Sequence, residues 1–162
     1  MELYSIGHSN VEMSDFLALL SRYEIQTLVD TRSQPYSRYS PHFSRDPLRR
    51  SINSAGIEYV FMGDWLGGRP EGEEFYLNGK ADYDAIETAA FYLEGIERLL
   101  EIAAGRRVAF MCSEADFKKC HRYNLITRSL VRRDIAVFHI LHTGETAASH
   151  KSEFEPEQLS LF

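Results

Sequence analysis

The sequence predicts an α/β protein, a single-domain three-layer sandwich with a mostly parallel five-stranded sheet and helices on both faces. Five short apolar or β-branched runs, at residues 3–7, 27–30, 57–62, 108–111 and 135–141, alternate with helical patterns. Strands joined through helices run parallel, and a parallel sheet is buried on both faces, which matches runs that are apolar throughout rather than alternating. A chain of 162 residues is long enough to bury one sizeable core and needs no second domain.

The elements follow in order. After the first strand, Ser9-Asn10-Val11-Glu12 reads as a capping box opening a helix whose apolar face is Phe16, Leu17, Leu19, Leu20 and Tyr23. After the second, Asp46 caps and Pro47 opens a second helix, which ends at Gly56 ahead of the third strand. A longer pattern over residues 84–104 places Ile86, Ala89, Ala90, Leu93, Ile96, Leu99 and Leu100 on one face and ends at Gly105. A fourth helix is expected over residues 117–132. Two linkers, 31–45 and 63–83, exceed the usual connection length, and such loops in a compact domain are functional or mobile. The α/β domain is expected to span residues 1–144, with 145–162 as a flexible tail.

Residues 1–7 run straight into a strand-like pattern without a basic region, long apolar stretch or cleavage site, so no signal peptide is expected. No window approaches a membrane span, and two cysteines do not make a secreted disulfide scaffold. The expectation is a cytoplasmic protein with reduced thiols and no membrane partner. A net charge of −6 argues against coating nucleic acid by bulk attraction. The charge is uneven, however: segments 31–50 and 118–133 hold more than half of the 18 lysines and arginines, while 71–101 is acidic. Solvated helix faces account for part of this, Arg132 and Arg133 included.

In open parallel sheets ligands bind beyond the carboxyl ends of the strands, so the residues there form one list. It reads His8 and Ser9 after the first strand, Asp30 and Arg32 at the second, Asp64 to Arg69 after the third, Cys112 and Glu114 at the fourth, and His121-Arg122 close behind. Cys112, between a buried strand and a helix, has two readings: a thiolate nucleophile favoured by backbone N–H groups, Lys118 and Arg122, or a small buried apolar side chain. His8 and His121 read as acid–base groups, phosphate ligands or helix caps. Asp30 either orients a histidine or holds Arg32. The candidate catalytic set is therefore Cys112, His8, Asp30, Glu114 and His121.

Candidate ligand-binding residues are Ser9, Arg32, Arg38, His42, Arg69 and Arg122, because a planar guanidinium binds two oxygens of a phosphate or carboxylate at once. Tyr36, Tyr39, Phe43 and Trp65 interleave with these arginines, as they do where unpaired bases stack, although half-buried loop aromatics give the same composition. A zinc site is not expected, since the Cys112–Cys120 gap is neither a zinc nor a redox spacing and adjacent Cys120 and His121 point different ways on a helix. No dinucleotide fingerprint or P-loop is present, and no cofactor is expected.

Taken together, Ile6-Gly7-His8-Ser9-Asn10, Leu28-Val29-Asp30-Thr31-Arg32-Ser33, Pro41-His42-Phe43, Leu66-Gly67-Gly68-Arg69 and Cys112-Ser113-Glu114 followed by Cys120-His121-Arg122 resemble the bacterial and archaeal family called domain of unknown function 488, over residues 3–142. The resemblance implies an α/β fold and a shared polar site, and supplies a site without a reaction. Val29-Asp30-Thr31-Arg32, with a Cys ending a later strand, is also similar to rhodaneses and cysteine phosphatases. Those families close the Cys loop with an Arg within about five residues. Here Lys118 stands at that spacing and Arg122 comes four residues later.

Outside that domain, Gln158-Leu159-Ser160-Leu161-Phe162 resembles the short peptide with which bacterial proteins dock on the DNA polymerase sliding clamp. Glu153, Glu155, Pro156 and Glu157 form a charged lead-in that cannot bury a core, yet three large apolar side chains follow. Burying Leu159, Leu161 and Phe162 in a partner would contribute roughly 1.5–3 kcal/mol each, leaving about micromolar affinity after ordering costs. The alternative is a terminus folded onto its own domain. The leading expectation is thus an enzyme or nucleic-acid-processing factor that binds a phosphate-bearing ligand, such as a nucleotide or nucleic acid, and is recruited through the clamp. A rhodanese-like thiol enzyme using Cys112 and a non-catalytic clamp-tethered adaptor are the alternatives.

Overall fold

Strand β1 (Glu2–Gly7) enters a sheet completed by β2 (Thr27–Asp30), β3 (Glu58–Phe61), β6 (Val108–Cys112), β7 (Ala136–Ile140) and β8 (Thr146–Ser149), while β4 (Tyr76–Leu77) and β5 (Lys80–Ala81) form a separate small hairpin. The computed structural model describes residues 1–155; the peptide from Gln158 to Phe162 lies outside the described residues. The strand order is β3-β2-β6-β1-β7-β8, with β8 alone antiparallel. Carboxyl ends of β2, β6 and β1 therefore stand side by side at the centre.

The sheet has six strands rather than the expected five. The extra one, β8, comes from the segment read as tail: a turn at Gly144, where Leu141 N–H donates to Glu145 O at 2.8 Å, returns the chain antiparallel to β7. Thr-Ala-Ala-Ser carries no large apolar residue because an edge strand needs none.

Alternation along each strand divides the core in two. On one face Ile6, Leu28 and Met111 pack with Phe16 and Leu20 of α1 (Met13–Arg22) and Leu48 and Ile52 of α2 (Arg45–Ser54). On the other, Leu3, Val29, Phe110 and Val137 pack with Leu66 of α3 (Gly63–Leu66), Ile86 of α4 (Tyr83–Glu87), Ile96 and Leu99 of α5 (Ala90–Ala103), and Leu130 of α6 (Arg128–Val131). The architecture is a mixed α/β fold with a mostly parallel central sheet and helices on both faces.

Four helical expectations shift. Ser44 rather than Asp46 precedes α2, so Asp46 and Pro47 lie inside its first turn. Glu12 rather than Ser9 precedes α1, and Ser9 adopts a φ of 48° in the turn after β1. The pattern over 84–104 is two helices, broken at Thr88, whose hydroxyl donates to Ala85 O at 3.2 Å. Residues 117–132 form a 3₁₀ turn (Phe117–Lys119), a π-helical segment (Arg122–Thr127) and α6. Thr127 Oγ1 donates to the Arg122 carbonyl at 2.6 Å, the side-chain bond that accompanies a widened turn, and π segments recur at functional sites. Among the described residues no helix is long and apolar enough to cross a membrane.

Candidate functional site

At the end of β2, Asp30 and Arg32 form a buried fork: Nε donates to Oδ1 at 2.9 Å and Nη2 to Oδ2 at 2.8 Å. The second oxygen also accepts from Tyr59 OH at 2.5 Å, and burial together with the Asp30 charge raises the pKa of that phenol. Arg32 Nη1 donates to Phe43 O at 2.7 Å and stands 3.3 Å from His8 Nε2. His8 Nδ1 lies 2.7 Å from Ser9 O, so the network assigns the proton to Nδ1 and leaves Nε2 to accept from Arg32. Burial, with Arg32 adding to it, pushes the His8 pKa down to about 4, which keeps the ring neutral. His8 and Asp30 thus form a layer that fixes Arg32 from behind.

In front lies a cleft of about 500 Å³. Its walls are Arg32, Ser33 and Gln34 after β2, Gly68 and Arg69 of the long loop, Tyr83 of α4, Cys112, Ser113 and Glu114 after β6, and Lys119, Cys120 and His121. Arg69 and Ser33–Gln34 also border a second cleft of about 520 Å³ lined by Gly63, Asp64, Pro70, Glu71 and Phe91. Ser33 Oγ accepts the Arg69 backbone N–H at 2.9 Å, fixing the loop that carries the guanidinium. Neither Arg69 nor Lys119 is ion-paired with a carboxylate among the described residues.

The cleft floor holds both cysteines. Cys112 and Cys120 meet sulfur to sulfur as a disulfide, with Cα atoms 7.3 Å apart. This corrects the expectation of reduced thiols: the Phe117–Lys119 turn folds Cys120 back over the end of β6. His121 Nδ1 stands 3.4 Å from Cys120 Sγ, while Nε2 is 3.0 Å from Thr31 O. Burial lowers the His121 pKa to about 4, the Thr31 bond opposes the shift, and Arg122 adds to it. Gly68 permits this approach, since a Cβ there would lie 3.0 Å from His121 Cβ. Among the described residues no group of three or more His, Cys, Asp or Glu could hold a metal ion.

Arg122 is fully buried behind the cleft. Nη1 donates to Ser5 Oγ at 3.2 Å, Nη2 donates to Glu114 O at 3.0 Å, and Nε has no partner among the described residues. Burial pushes its pKa down to about 10, opposed by Asp116 and Glu114, so it stays charged at neutral pH. It holds the Cys112–Glu114 loop by its carbonyl rather than facing a ligand. Gly7 completes that support, because a Cβ there would collide with Glu114 O. Ser5 Oγ is also 2.5 Å from His139 Nδ1, His139 Nε2 is 2.6 Å from Ser149 Oγ, and Phe117 stacks on the imidazole at 3.8 Å.

Of the residues singled out in the sequence, Arg32, Arg69, Cys112, Glu114 and His121 line one cleft, with His8 and Asp30 directly behind Arg32. Ser9, Arg38 and His42 are not on its walls: Arg38 lies 5.8 Å from the Tyr39 ring centroid, and His42 Nε2 is 2.9 Å from Val11 O. Tyr36 and Tyr39 are 73% and 90% exposed, whereas Phe43 is buried in the core against His8 and offers no stacking face. Sequence reasoning missed Tyr59, Tyr83, Ser5, His139 and the part played by Cys120. Ser5 and His139 carried a readable signal, polar residues inside otherwise apolar strands.

The family model for the domain of unknown function DUF488 matches residues 12–128, a span that contains β2, β3, β6 and every wall of this cleft. No curated protein and no solved structure matches the chain. A match over well over half of the sequence places the chain in that family: it belongs to the family of the domain of unknown function DUF488.

Proposed function

We propose that this chain is a cytoplasmic enzyme or nucleic-acid-processing factor that binds a phosphate-bearing ligand in the strand-end cleft and is brought to DNA by its C-terminal peptide. The observation that supports the ligand is the pairing of two cations, Arg69 and Lys119, without carboxylate partners among the described residues, across a cleft whose floor holds Cys112, Cys120 and His121. A guanidinium offers a planar fork to two phosphate oxygens and an ammonium adds a point charge. Arg32, already forked into Asp30, contributes shape rather than free charge. The test is a titration followed residue by residue in NMR spectra: orthophosphate, nucleoside monophosphates or short single strands are expected to shift the Ser33, Gln34 and Lys119 amides. Shifts confined to other faces would overturn the cleft as the site.

A rhodanese-like reaction is the second reading, favoured by cysteines that open into the cleft instead of packing wholly inside the core. Thiocyanate formation from thiosulfate, abolished in Cys112→Ser, would select it.

The recruitment half rests on residues 158–162. Titration of the bacterial sliding clamp with a peptide covering residues 155–162 is expected to give about micromolar affinity. Leu161→Ala with Phe162→Ala in the whole chain is expected to remove most of that binding and leave the thermal midpoint unchanged, because a segment that orders only on docking adds nothing to the fold of the free chain. Absence of clamp binding by the wild-type chain, or destabilisation by several kcal/mol in the double variant, would contradict recruitment.

A further inference from the structure

The two sulfurs at the floor of the cleft differ in their surroundings. Cys112 ends β6 and is 1% exposed, while Cys120 follows the Phe117–Lys119 turn and is 8% exposed. Cys120 Sγ is also approached by the Arg122 backbone N–H at 3.5 Å and by His121 Nδ1 at 3.4 Å. Since His121 Nε2 is committed to Thr31 O, Nδ1 accepts the hydrogen of a Cys120 thiol and orients it, and the backbone N–H supports the thiolate once the proton has left. Lys119 adds positive charge at the cleft wall beside it. Cys112 has no hydrogen-bond donor or imidazole at its sulfur among the described residues.

We propose that Cys112 and Cys120 form a reversible thiol–disulfide couple that exchanges with low-molecular-weight disulfides through Cys120. In the oxidising direction the Cys120 thiol releases its proton to water in the open cleft, and the thiolate attacks one sulfur of a disulfide R–S–S–R. That bond breaks, one RS⁻ leaves and takes up a proton, and a Cys120–S–S–R mixed disulfide forms. The Cys112 thiol then loses its proton and attacks Cys120 Sγ, expelling the second RS⁻, which is protonated in turn. The protein has given up two electrons and two protons, and the small disulfide has become two thiols. A small thiol reverses both steps.

The two cysteines sit on different elements, Cys112 at the end of β6 and Cys120 after the Phe117–Lys119 turn, with Cα atoms 7.3 Å apart. In the oxidised state no thiol faces the cleft, and any reaction that uses Cys112 is off. The couple rests on the two sulfurs and their neighbours and does not depend on the phosphate-bearing ligand.

The experiment equilibrates the full chain with glutathione and glutathione disulfide at a series of ratios, quenches with an alkylating agent and reads intact masses. The wild type is expected to pass from two alkylated thiols to none in one two-electron transition that is independent of protein concentration. Both thiols staying alkylatable throughout, or crosslinks forming only between chains, would overturn the couple. In the single variants, Cys112→Ser is expected to accumulate the glutathione adduct on Cys120 at least about tenfold faster than Cys120→Ser accumulates it on Cys112. Equal rates would overturn Cys120 as the point of entry, while the wild-type titration, which needs no variant, still decides the couple.

Discussion

Arg32→Ala is expected to destabilise the fold by about 3–5 kcal/mol, the usual result of removing one partner of a buried ion pair. The mechanism is specific. Asp30 is fully buried, and without the guanidinium its carboxylate keeps only Tyr59 OH and the backbone N–H of residue 32. Phe43 O and His8 Nε2 lose a donor in the same step. Arg32→Lys is expected to recover part of the loss, since an ammonium cannot reproduce the two-point fork or reach all partners. Pairing the replacement with Asp30→Asn is expected to be less damaging than Arg32→Ala alone, because no uncompensated charge stays buried. Urea unfolding of the three variants measures this. A loss below about 1 kcal/mol for Arg32→Ala would mean that the pair is not what holds the end of β2.

Acidification is expected to cost stability before ordinary carboxylates titrate. Burial holds His8 and His121 at about 4 and His139 at about 3, against 6.5 in the unfolded chain. Arg122 adds to the shift of His139. Each imidazole is neutral when folded and free to take a proton when unfolded, so the unfolded state binds more protons below pH 6.5. The contribution of these groups is fully present above pH 6.5, falls as pH drops and levels off near pH 4 for His8 and His121. At pH 5.5 each fully buried ring costs roughly 1 kcal/mol, and His121, partly facing the cleft, costs less. Together they should lower the unfolding free energy by about 2–3 kcal/mol between pH 7.5 and pH 5.5. Urea midpoints at the two pH values measure the difference, and His139→Gln should reduce it. A flat profile would mean that these rings gain partners on protonation.

Most of the frame was legible in the sequence. The 27–30 run coincides with β2, and the other four runs differ from their strands by one or two residues, because apolar runs bounded by helical patterns leave few alternatives. The strand ends were legible for the same reason, since a parallel sheet fixes the side on which they gather. Local pattern could not show contacts made by turning back in space. Cys112 and Cys120 are eight residues apart, and only the 3₁₀ turn between them brings the sulfurs together. Arg122 sits among residues that read as an amphipathic helix, and the π-helical segment turns it inward to Ser5. Strand β8 lacks a hydrophobic signature because its burial pattern contains one buried residue in four. Phe43 looked like a stacking platform beside the arginines and is instead a core residue that carries His8 on its ring.

The central claim is that a phosphate-bearing ligand occupies the cleft between Arg69 and Lys119, and the most direct test is the affinity of a 5′-phosphorylated single strand as a function of salt. It should be compared between the wild type and the Arg69→Ala, Lys119→Ala double variant, with Arg106→Ala, paired to Glu58 at the amino end of β3, as the control. The account expects the double variant to bind at least about tenfold more weakly, with a salt slope shallower by about 1–2, and the control to match the wild type. Equal affinity and slope in the double variant, or no binding by the wild type, would contradict it.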